Sequence, residues 1–271
     1  MKTYSPKDYW TSLAENFDPA DAAGLAPVLH PSSPAWFNQL IDDLQFRAIR
    51  KAMAVAAIPV GASILDVGCG TGRWVRRYHE LGLHATGLDA TPAMLRVARD
   101  RGTAETLVAG EAYHLPFPSS GFDAVSDITV TQHIPAVLQR QALSEMIRVI
   151  RPGGCLILME LIRGEGIHIF PRKPQDWIEQ AASCGAKLVG WFGQEYLLLD
   201  RLFVHVAQAM VGRHRVGGIS QRPSSQQSTM ARRMYWGFRR ITVPISAWAD
   251  PVAGWICPGQ IATHGVFVFK K

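Results

Sequence analysis

The stretch ILDVGCGTGRW, Ile64 to Trp74, sets three glycines at alternate positions directly behind a short apolar run and an aspartate. Glycine enters left-handed backbone without the steric cost other residues carry, and its missing side chain lets a ligand approach the main chain. A strand, a bare turn and then a helix present backbone N–H groups and a positive helix terminus to that ligand. Taken alone the pattern is a weak signal; where strands and helices alternate around it, it points to an α/β architecture with its site at the carboxyl end of a strand.

The rest of the chain is consistent with that architecture. SILDV reads as a buried strand and Arg73–Leu81 as a helix; HATGLD is a second strand, and Thr91-Pro92 opens the next helix as cap and first-turn proline. A third strand (ETLVA), a loop through LPFPSSG and a fourth strand (FDAVSDIT) follow. A helix then runs from Pro135 to Ile150, RPGG turns the chain, and CLILMEL forms a fifth strand. The segment Pro174–Cys184 is helical, KLVGWF is extended, and the β-rich HGVFVFKK closes the chain. Strands alternating with helices at this spacing predict a doubly wound, mainly parallel sheet with helices on both faces.

Two segments stand outside this alternation. Residues 1–60 read as a helical cap, with Trp36, Phe37, Leu40, Ile41, Leu44 and Ile49 spaced for an amphipathic helix that begins after Ser33-Pro34. Residues 196–258 form an insertion between the core (61–195) and its closing strand (259–271). That insertion holds the low-complexity RPSSQQS and the proline- and glycine-punctuated ITVPISAWADPVAGWICPG. A substrate lid is one reading of it; a structural cover or a homodimer contact is the other.

Composition narrows the class of protein. Hydrophobic residues make up 48% and charged residues 18%, which supports a large core and argues against global disorder. Acidic residues in the first thirty positions oppose a secretory signal, and the apolar run Cys155–Met159 is too short to span a bilayer. Cys69, Cys155, Cys184 and Cys257 are far apart and form no CxxC pair, so neither a metal site nor a disulfide framework is expected, and the expected location is the cytoplasm. The net charge of +6 is concentrated in a late arginine cluster that suits an acidic substrate, nucleic acid or a membrane surface, or is a solvated basic face.

A dinucleotide is the first rival for the glycine turn. Its fingerprint wants a third glycine where Arg73 stands; here that glycine is Gly72, and Asp66 precedes the turn. Asp89 ends the second strand about twenty residues on, where an acid can accept both hydroxyls of a ribose. An adenosine with free ribose hydroxyls and no diphosphate fits this arrangement.

In order and spacing, ILDVGCGTG, GLDATPAMLRVAR, GEAYHLPFPSSGFDAV, TQHI and RVIRPGGCLILMEL resemble the class I S-adenosylmethionine-dependent methyltransferases of small molecules. The resemblance is close over residues 63–162 and looser beyond. It implies a seven-stranded sheet, and S-adenosylmethionine as cofactor with S-adenosylhomocysteine as product. It further implies that Gly68, Gly70 and Gly72 floor the cofactor site while Asp66 orders the turn and helps hold the ammonium. By the same resemblance Asp89 takes the ribose, Ala90 and Met94 flank the adenine, Glu111 with Ala112 meets the adenine edge, and Thr129 lies beneath. Glu111 stands where the family usually has aspartate.

Methyl transfer from a sulfonium is a direct displacement, so positioning supplies much of the rate and a base is needed only when the acceptor loses a proton. His133 after the fourth strand and Glu160 at the end of the fifth are the candidate catalytic residues, since a histidine and an acid flank the acceptor in O-methyltransferases of this type. The competing reading makes His133 a structural member of the strand–helix turn, and gives His168 a packing role. Tyr4, Trp10 and Phe17 are expected to fold over a sulfonium or to pack a helix. Asn38, Gln45 and Arg47 share a helix face from which a methionine carboxylate could be met. Tyr196, Phe203, Tyr235, Trp236, Trp248 and Trp255 are expected to wall an apolar acceptor pocket. No nucleic-acid-binding module and no NPPY-like run are present, so a small organic acceptor, acidic or with an apolar body, is the expected partner. O-methylation in specialised metabolism leads that reading, ahead of N- or C-methylation; a lipid or isoprenoid acceptor at a membrane, a non-catalytic cofactor-binding partner and an NAD-dependent oxidoreductase are the alternatives.

Overall fold

The computed structural model describes residues 5–17, 24–102, 106–164, 168–211 and 229–271. Two N-terminal helices, α1 (Pro6–Glu15) and α2 (Ala35–Ala56), precede the alternating part. That part runs β1 (Ser63–Val67), α3 (Arg73–Glu80), β2 (His84–Asp89), α4 (Pro92–Asp100), β3 (Leu107–Ala109) and β4 (Phe122–Ile128). It continues through a 3-10 turn (Thr131–His133), α5 (Ala136–Val149), β5 (Ile150–Leu161), α6 (Pro174–Ser183) and β6 (Lys187–Gln194). Helices α7 (Leu198–Val211) and α8 (Thr229–Ile256) intervene before β7 (His264–Lys270).

The seven strands form one sheet in the order β3-β2-β1-β4-β5-β7-β6, with β7 antiparallel to both neighbours. Side chains alternate along each strand, so odd and even positions feed different layers. Leu65, Val67, Val125, Leu156 and Leu158 pack against α5 and Trp177 of α6. Ile64, Ala124, Ile157 and Met159 pack against α2 and the Trp74 and Tyr78 rings of α3. Burial on both faces explains why the strands read as nearly unbroken apolar runs. The order reverses between β1 and β4, and the crevice outside their carboxyl ends is where an open sheet of this kind binds ligands.

Two local expectations need correction. RPGG does not separate α5 from the fifth strand: β5 already begins at Ile150, and the register against β4 jumps from Phe122–Ile150 to Ala124–Cys155, so RPGG bulges within the strand. The segment ITVPISAWADPVAGWICPG is not broken by its prolines; α8 continues through Pro244 and Pro251. Both prolines are exposed, while the inner face holds the helix in place. Val243 and Ala247 pack with Phe37, Ile41 and Leu44 of α2, and the Asp250 carboxylate accepts the backbone N–H groups of Tyr196 and Leu197 at 3.0 and 2.8 Å. The expected RPSSQQS loop lies outside the described residues.

The helices α7 and α8 are tied by a buried ion pair. Arg239 donates to both oxygens of Asp200 at 2.9 and 2.6 Å, and its guanidinium lies over the rings of Phe37 and Trp236 at 4.7 and 5.1 Å. Removing one member of such a pair leaves the other charge buried and uncompensated. Arg239→Ala should therefore lower the unfolding free energy by about 3 kcal/mol or more in urea titrations, and a loss below about 1 kcal/mol would show that the pair is dispensable.

Candidate functional site

At the carboxyl ends of β1, β2 and β4 lies a cavity of about 300 Å³. Its floor is the turn between β1 and α3. Gly68, Gly70 and Gly72 all take positive φ, at 70°, 52° and 73°, which selects glycine at each place. A Cβ on Gly68 would fall 2.4 Å from the Val130 methyls, and one on Gly70 would fall 2.9 Å from Val28 Cγ1. The bare backbone is thus enforced by close neighbours as well as by torsion.

Asp89 joins this turn to the end of β2. One oxygen accepts the Gly70 N–H at 2.9 Å and the other accepts the Thr91 N–H at 2.8 Å. Burial pushes the Asp89 carboxyl above its ordinary range, against these two donors. Ala90, Met94, Glu111, Ala112 and Thr129 complete the wall at the positions the sequence assigned to ligand binding. Thr129 is held at φ 61°, an uncommon conformation for a residue with a side chain, where its N–H reaches the Met159 carbonyl at 2.7 Å.

Asp66 and Gly72 are not on this surface. Gly72 caps α3, and Asp66 lies beneath the turn, where one oxygen accepts from Ser126 Oγ at 2.9 Å. Its other oxygen is buried without a hydrogen-bond partner among the described residues, and burial raises its pKa to about 7. Asp66 therefore supports the turn from below and is not part of the cavity lining.

Arg73 does line the cavity and was missed as a ligand group. One of its guanidinium nitrogens donates to Asp42 and Gln45 of α2 at 2.7 and 2.9 Å, which fixes a buried cation beside the glycine turn. Gln45 thus takes part through Arg73. Asn38 instead clamps the His30 backbone, and Arg47 bonds the Asp43 carbonyl on the helix exterior. The signal for Arg73 was present in the sequence, at the place where a dinucleotide site would carry glycine.

His133 faces the cavity from the 3-10 turn. Its Nδ1 lies 2.9 Å from the His168 carbonyl, which can only accept, so Nδ1 carries the hydrogen. Its Nε2 lies 3.2 Å from the Gln132 amide nitrogen, and that amide is oriented by its oxygen accepting the Leu161 N–H at 2.8 Å. The lone pair on Nε2 therefore accepts from the Gln132 amide. Burial lowers the His133 pKa to about 4, and the neighbouring His168 and His264 add to the shift. Trp10 of α1 sets its edge against the His133 ring at 5.0 Å, and His168 stacks on the other side at 5.4 Å. Phe17 lies nearer Arg101, and Tyr4 falls outside the described residues.

Glu160 does not accompany His133 at the cavity. It is fully buried, and its carboxyl accepts the backbone N–H groups of Val130, Thr131 and Gln132 at 2.9, 2.9 and 2.8 Å. Asp127 approaches the same turn and takes the Thr131 hydroxyl. Burial and the adjacent Asp127 drive the Glu160 carboxyl well above its ordinary value. The acid at the end of the fifth strand is a positioning residue: it shapes the turn that carries His133. The aromatics expected to wall an acceptor pocket also scatter. Trp236 packs on Trp36 and Phe37, Phe203 stacks on Phe238, and Trp248 and Trp255 are exposed.

Comparison with known proteins gives this geometry a family. Residues 65–158 match the family model described as a methyltransferase domain. These residues form a class I S-adenosylmethionine-dependent methyltransferase domain. S-adenosylmethionine is its cofactor. Malonyl-[acyl-carrier protein] O-methyltransferase of Serratia marcescens is 38% identical over 107 residues, covering 38% of this chain and 40% of the relative. Demethylmenaquinone methyltransferase of Renibacterium salmoninarum is 40% identical over 126 residues, covering 45% of this chain and 52% of the relative. The chain thus spans about half the length of the curated relatives it matches. Among solved structures, phosphoethanolamine N-methyltransferase 2 of Haemonchus contortus, in complex with S-adenosyl-L-methionine, superposes with a TM-score of 0.57 at 17% identity, covering 100% of this chain and 60% of that one. The [4+2]-cyclase SpnF superposes at 0.54 and 20% identity, covering 83% and 80%; both likenesses concern the fold.

The cavity fits the cofactor on its own chemistry. Bare main chain at Gly68 and Gly70 admits a ligand against the floor, the Asp89 carboxylate suits the two ribose hydroxyls, and the Arg73 cation suits a carboxylate. Each hydrogen bond to a charged group contributes about 1.5–3 kcal/mol. Asp89→Ala should accordingly weaken S-adenosylmethionine binding about a hundredfold or more by calorimetry, and an unchanged dissociation constant would contradict the ribose assignment.

Acid stability follows from His133. Its folded pKa of about 4 lies below the ordinary 6.5, so the unfolded chain binds the proton more readily between these values. The stability His133 contributes by staying neutral is complete above pH 6.5 and is lost as pH falls through the window toward 4. Unfolding free energies measured at pH 7 and pH 5 should differ more in the native chain than in His133→Asn, and equal differences would show that the buried imidazole does not titrate this way.

Proposed function

We propose that the chain transfers a methyl group from S-adenosylmethionine to a small organic acceptor, with an acidic hydroxyl as the preferred acceptor group. The observation that carries this reading is the neutral imidazole of His133 in the wall of the cofactor cavity, with Nδ1 on the His168 carbonyl and Nε2 held by the Gln132 amide, a contact that an acceptor hydroxyl would replace. Bound S-adenosylmethionine supplies an electrophilic methyl group on a sulfonium.

The residues divide the remaining work. Gly68 and Gly70 leave room on the floor, Asp89 and Arg73 hold the two polar ends, and Trp10 closes over the site from α1. Burial excludes water, which favours an aligned displacement. His133 can meet the acceptor hydrogen only where the acceptor hydroxyl replaces the Gln132 amide at Nε2: the bond from sulfur to the methyl carbon breaks, the new bond joins that carbon to the acceptor oxygen, and the proton leaves that oxygen toward Nε2. A pKa of about 4 makes His133 a weak base, matched to an acidic hydroxyl more than to an aliphatic alcohol; a carboxylate acceptor is already ionised at neutral pH and needs no base. Glu160 and Gln132 act through His133, one by shaping its turn and the other by orienting its ring.

A buried polar cluster lies outside the cavity lining. Glu195 and His264 approach to 3.1 Å, and burial lowers the pKa of the neighbouring His30. The buried Gln194 amide has no hydrogen-bond partner among the described residues. A second reading, an amphiphilic lipid- or quinone-like acceptor, is favoured by the names of the Serratia and Renibacterium relatives, which specify an acyl-carrier substrate and a demethylated menaquinone.

Incubation with labelled S-adenosylmethionine and a panel of carboxylic acids, phenols and quinols should release S-adenosylhomocysteine with an O-methylated product. Cofactor binding without release for any acceptor would favour a non-methylating role, and the cyclase that shares this fold shows the architecture hosts other chemistry. His133→Ala should leave cofactor affinity within about twofold while lowering kcat about a hundredfold, the lower end for removing a general base. An unchanged kcat would make the mechanism positioning alone. The acid limb of kcat should fall near pH 4, and a limb near 6.5 would mean that another group titrates.

A further inference from the structure

Helix α8 carries an apolar stripe that nothing among the described residues covers. Phe238, Ile241, Ile245, Trp248, Val252 and Trp255 follow one another at spacings that alternate between three and four, which keeps them on one face. These side chains are exposed, Ile241 by 62%, Trp248 by 83% and Trp255 by 94%. The stripe widens onto α7, where Leu199, Leu202 and Val206 are exposed and Phe203 stacks on Phe238 at 4.1 Å. Soluble monomers rarely expose a continuous apolar face of this extent.

Charge identifies the occupant. From Arg201 to Ala249 the sequence contains no aspartate or glutamate but eight arginines: Arg201, Arg213, Arg215, Arg222, Arg232, Arg233, Arg239 and Arg240. The acids that bound this stretch, Asp200 and Asp250, are turned inward, one onto Arg239 and the other onto two backbone N–H groups. Arg233 and Arg240 are exposed beside the stripe. The surface is therefore apolar and cationic, with no exposed acid among the described residues of α7 and α8. A second copy would suit the spacing, but paired helices of that kind balance flanking charges of both signs, and here like charges would meet. An anionic bilayer complements both properties. Tryptophan favours the boundary between headgroups and acyl chains, and arginines beside an apolar face add electrostatic attraction. No helix among the described residues is long and apolar enough to cross a membrane, which fits a helix that lies in the interface plane.

We propose that the outer face of α7 and α8 docks on an anionic lipid bilayer, with Trp248 and Trp255 entering the interface and Arg233 and Arg240 meeting the headgroups. The attachment is independent of which acceptor the cavity takes.

Cosedimentation of the full chain with phosphatidylglycerol–phosphatidylcholine vesicles tests this. The chain should partition onto these vesicles far more than onto pure phosphatidylcholine, and high salt should weaken the partitioning. The double variant W248S/W255S should lose about tenfold or more of the partition coefficient. R233Q/R240Q should lose roughly fivefold per arginine. Both variants should bind S-adenosylmethionine like the native chain in calorimetry, since neither pair lies at the cavity. Absence of binding to the anionic vesicles overturns the proposal, as does equal binding of the native chain and W248S/W255S. A concentration-dependent dimer that W248S/W255S abolishes, with no vesicle binding, assigns the face to a second copy and equally overturns it.

Discussion

The two hydrogen bonds that Asp89 accepts, from Gly70 and from Thr91, are the constraint on which the site depends. They join the end of β2 to the glycine turn after β1, so one carboxylate fixes both the floor and the sugar end of the cavity. Every neighbouring choice conforms to that geometry. Gly68 cannot carry a side chain because Val130 stands where its Cβ would be, and Val130 stands there because Glu160 holds its N–H. A carboxyl thus organises each rim: half-buried Asp89 on the β2 side and fully buried Glu160 on the β5 side. Both act on backbone N–H groups that would otherwise be unpaired where the strands end.

The same logic explains why His133 is neutral. Its turn is built over two adjacent buried carboxyls, yet the ring itself stands half-buried in the cavity wall, clamped by a carbonyl and an amide and in contact with Trp10 and His168. Burial disfavours the charged imidazole, and the neighbouring His168 and His264 add to that. The ring consequently stays neutral over a wide pH range, with its one lone pair on the Gln132 amide, at the expense of basicity. That combination suits an acceptor that gives up its proton easily.

Much of this was legible in the sequence because it rests on local rules. Glycine at positive φ, proline opening α4, and strands that are apolar on both faces all leave marks that a single chain shows. The spacing from the glycine turn to Asp89 is equally a local consequence of one helix and one strand. What escaped depends on tertiary partners. Pro244 and Pro251 read as breakers, but α8 survives them because its inner face is fastened to α2, Asp200 and the 195–197 backbone. Glu160 reads as a site acid because it ends a strand; only the fold shows that three N–H groups of the neighbouring turn consume its oxygens. Arg73 was visible as a departure from a dinucleotide fingerprint, while its value as a fixed cation required Asp42 and Gln45 from a helix about thirty residues earlier. Trp248 and Trp255 of α8 read as pocket walls because aromatic residues usually are buried; their exposure is a property of the assembled surface.

The most direct test of the central claim is a crystal structure grown with S-adenosylhomocysteine. Density should fill the cavity with the ribose hydroxyls on the Asp89 carboxylate, the backbone of Gly68 and Gly70 beneath the ligand, and the amino-acid end toward Arg73. Density elsewhere on the molecule, or an empty cavity under saturating ligand, would contradict the account.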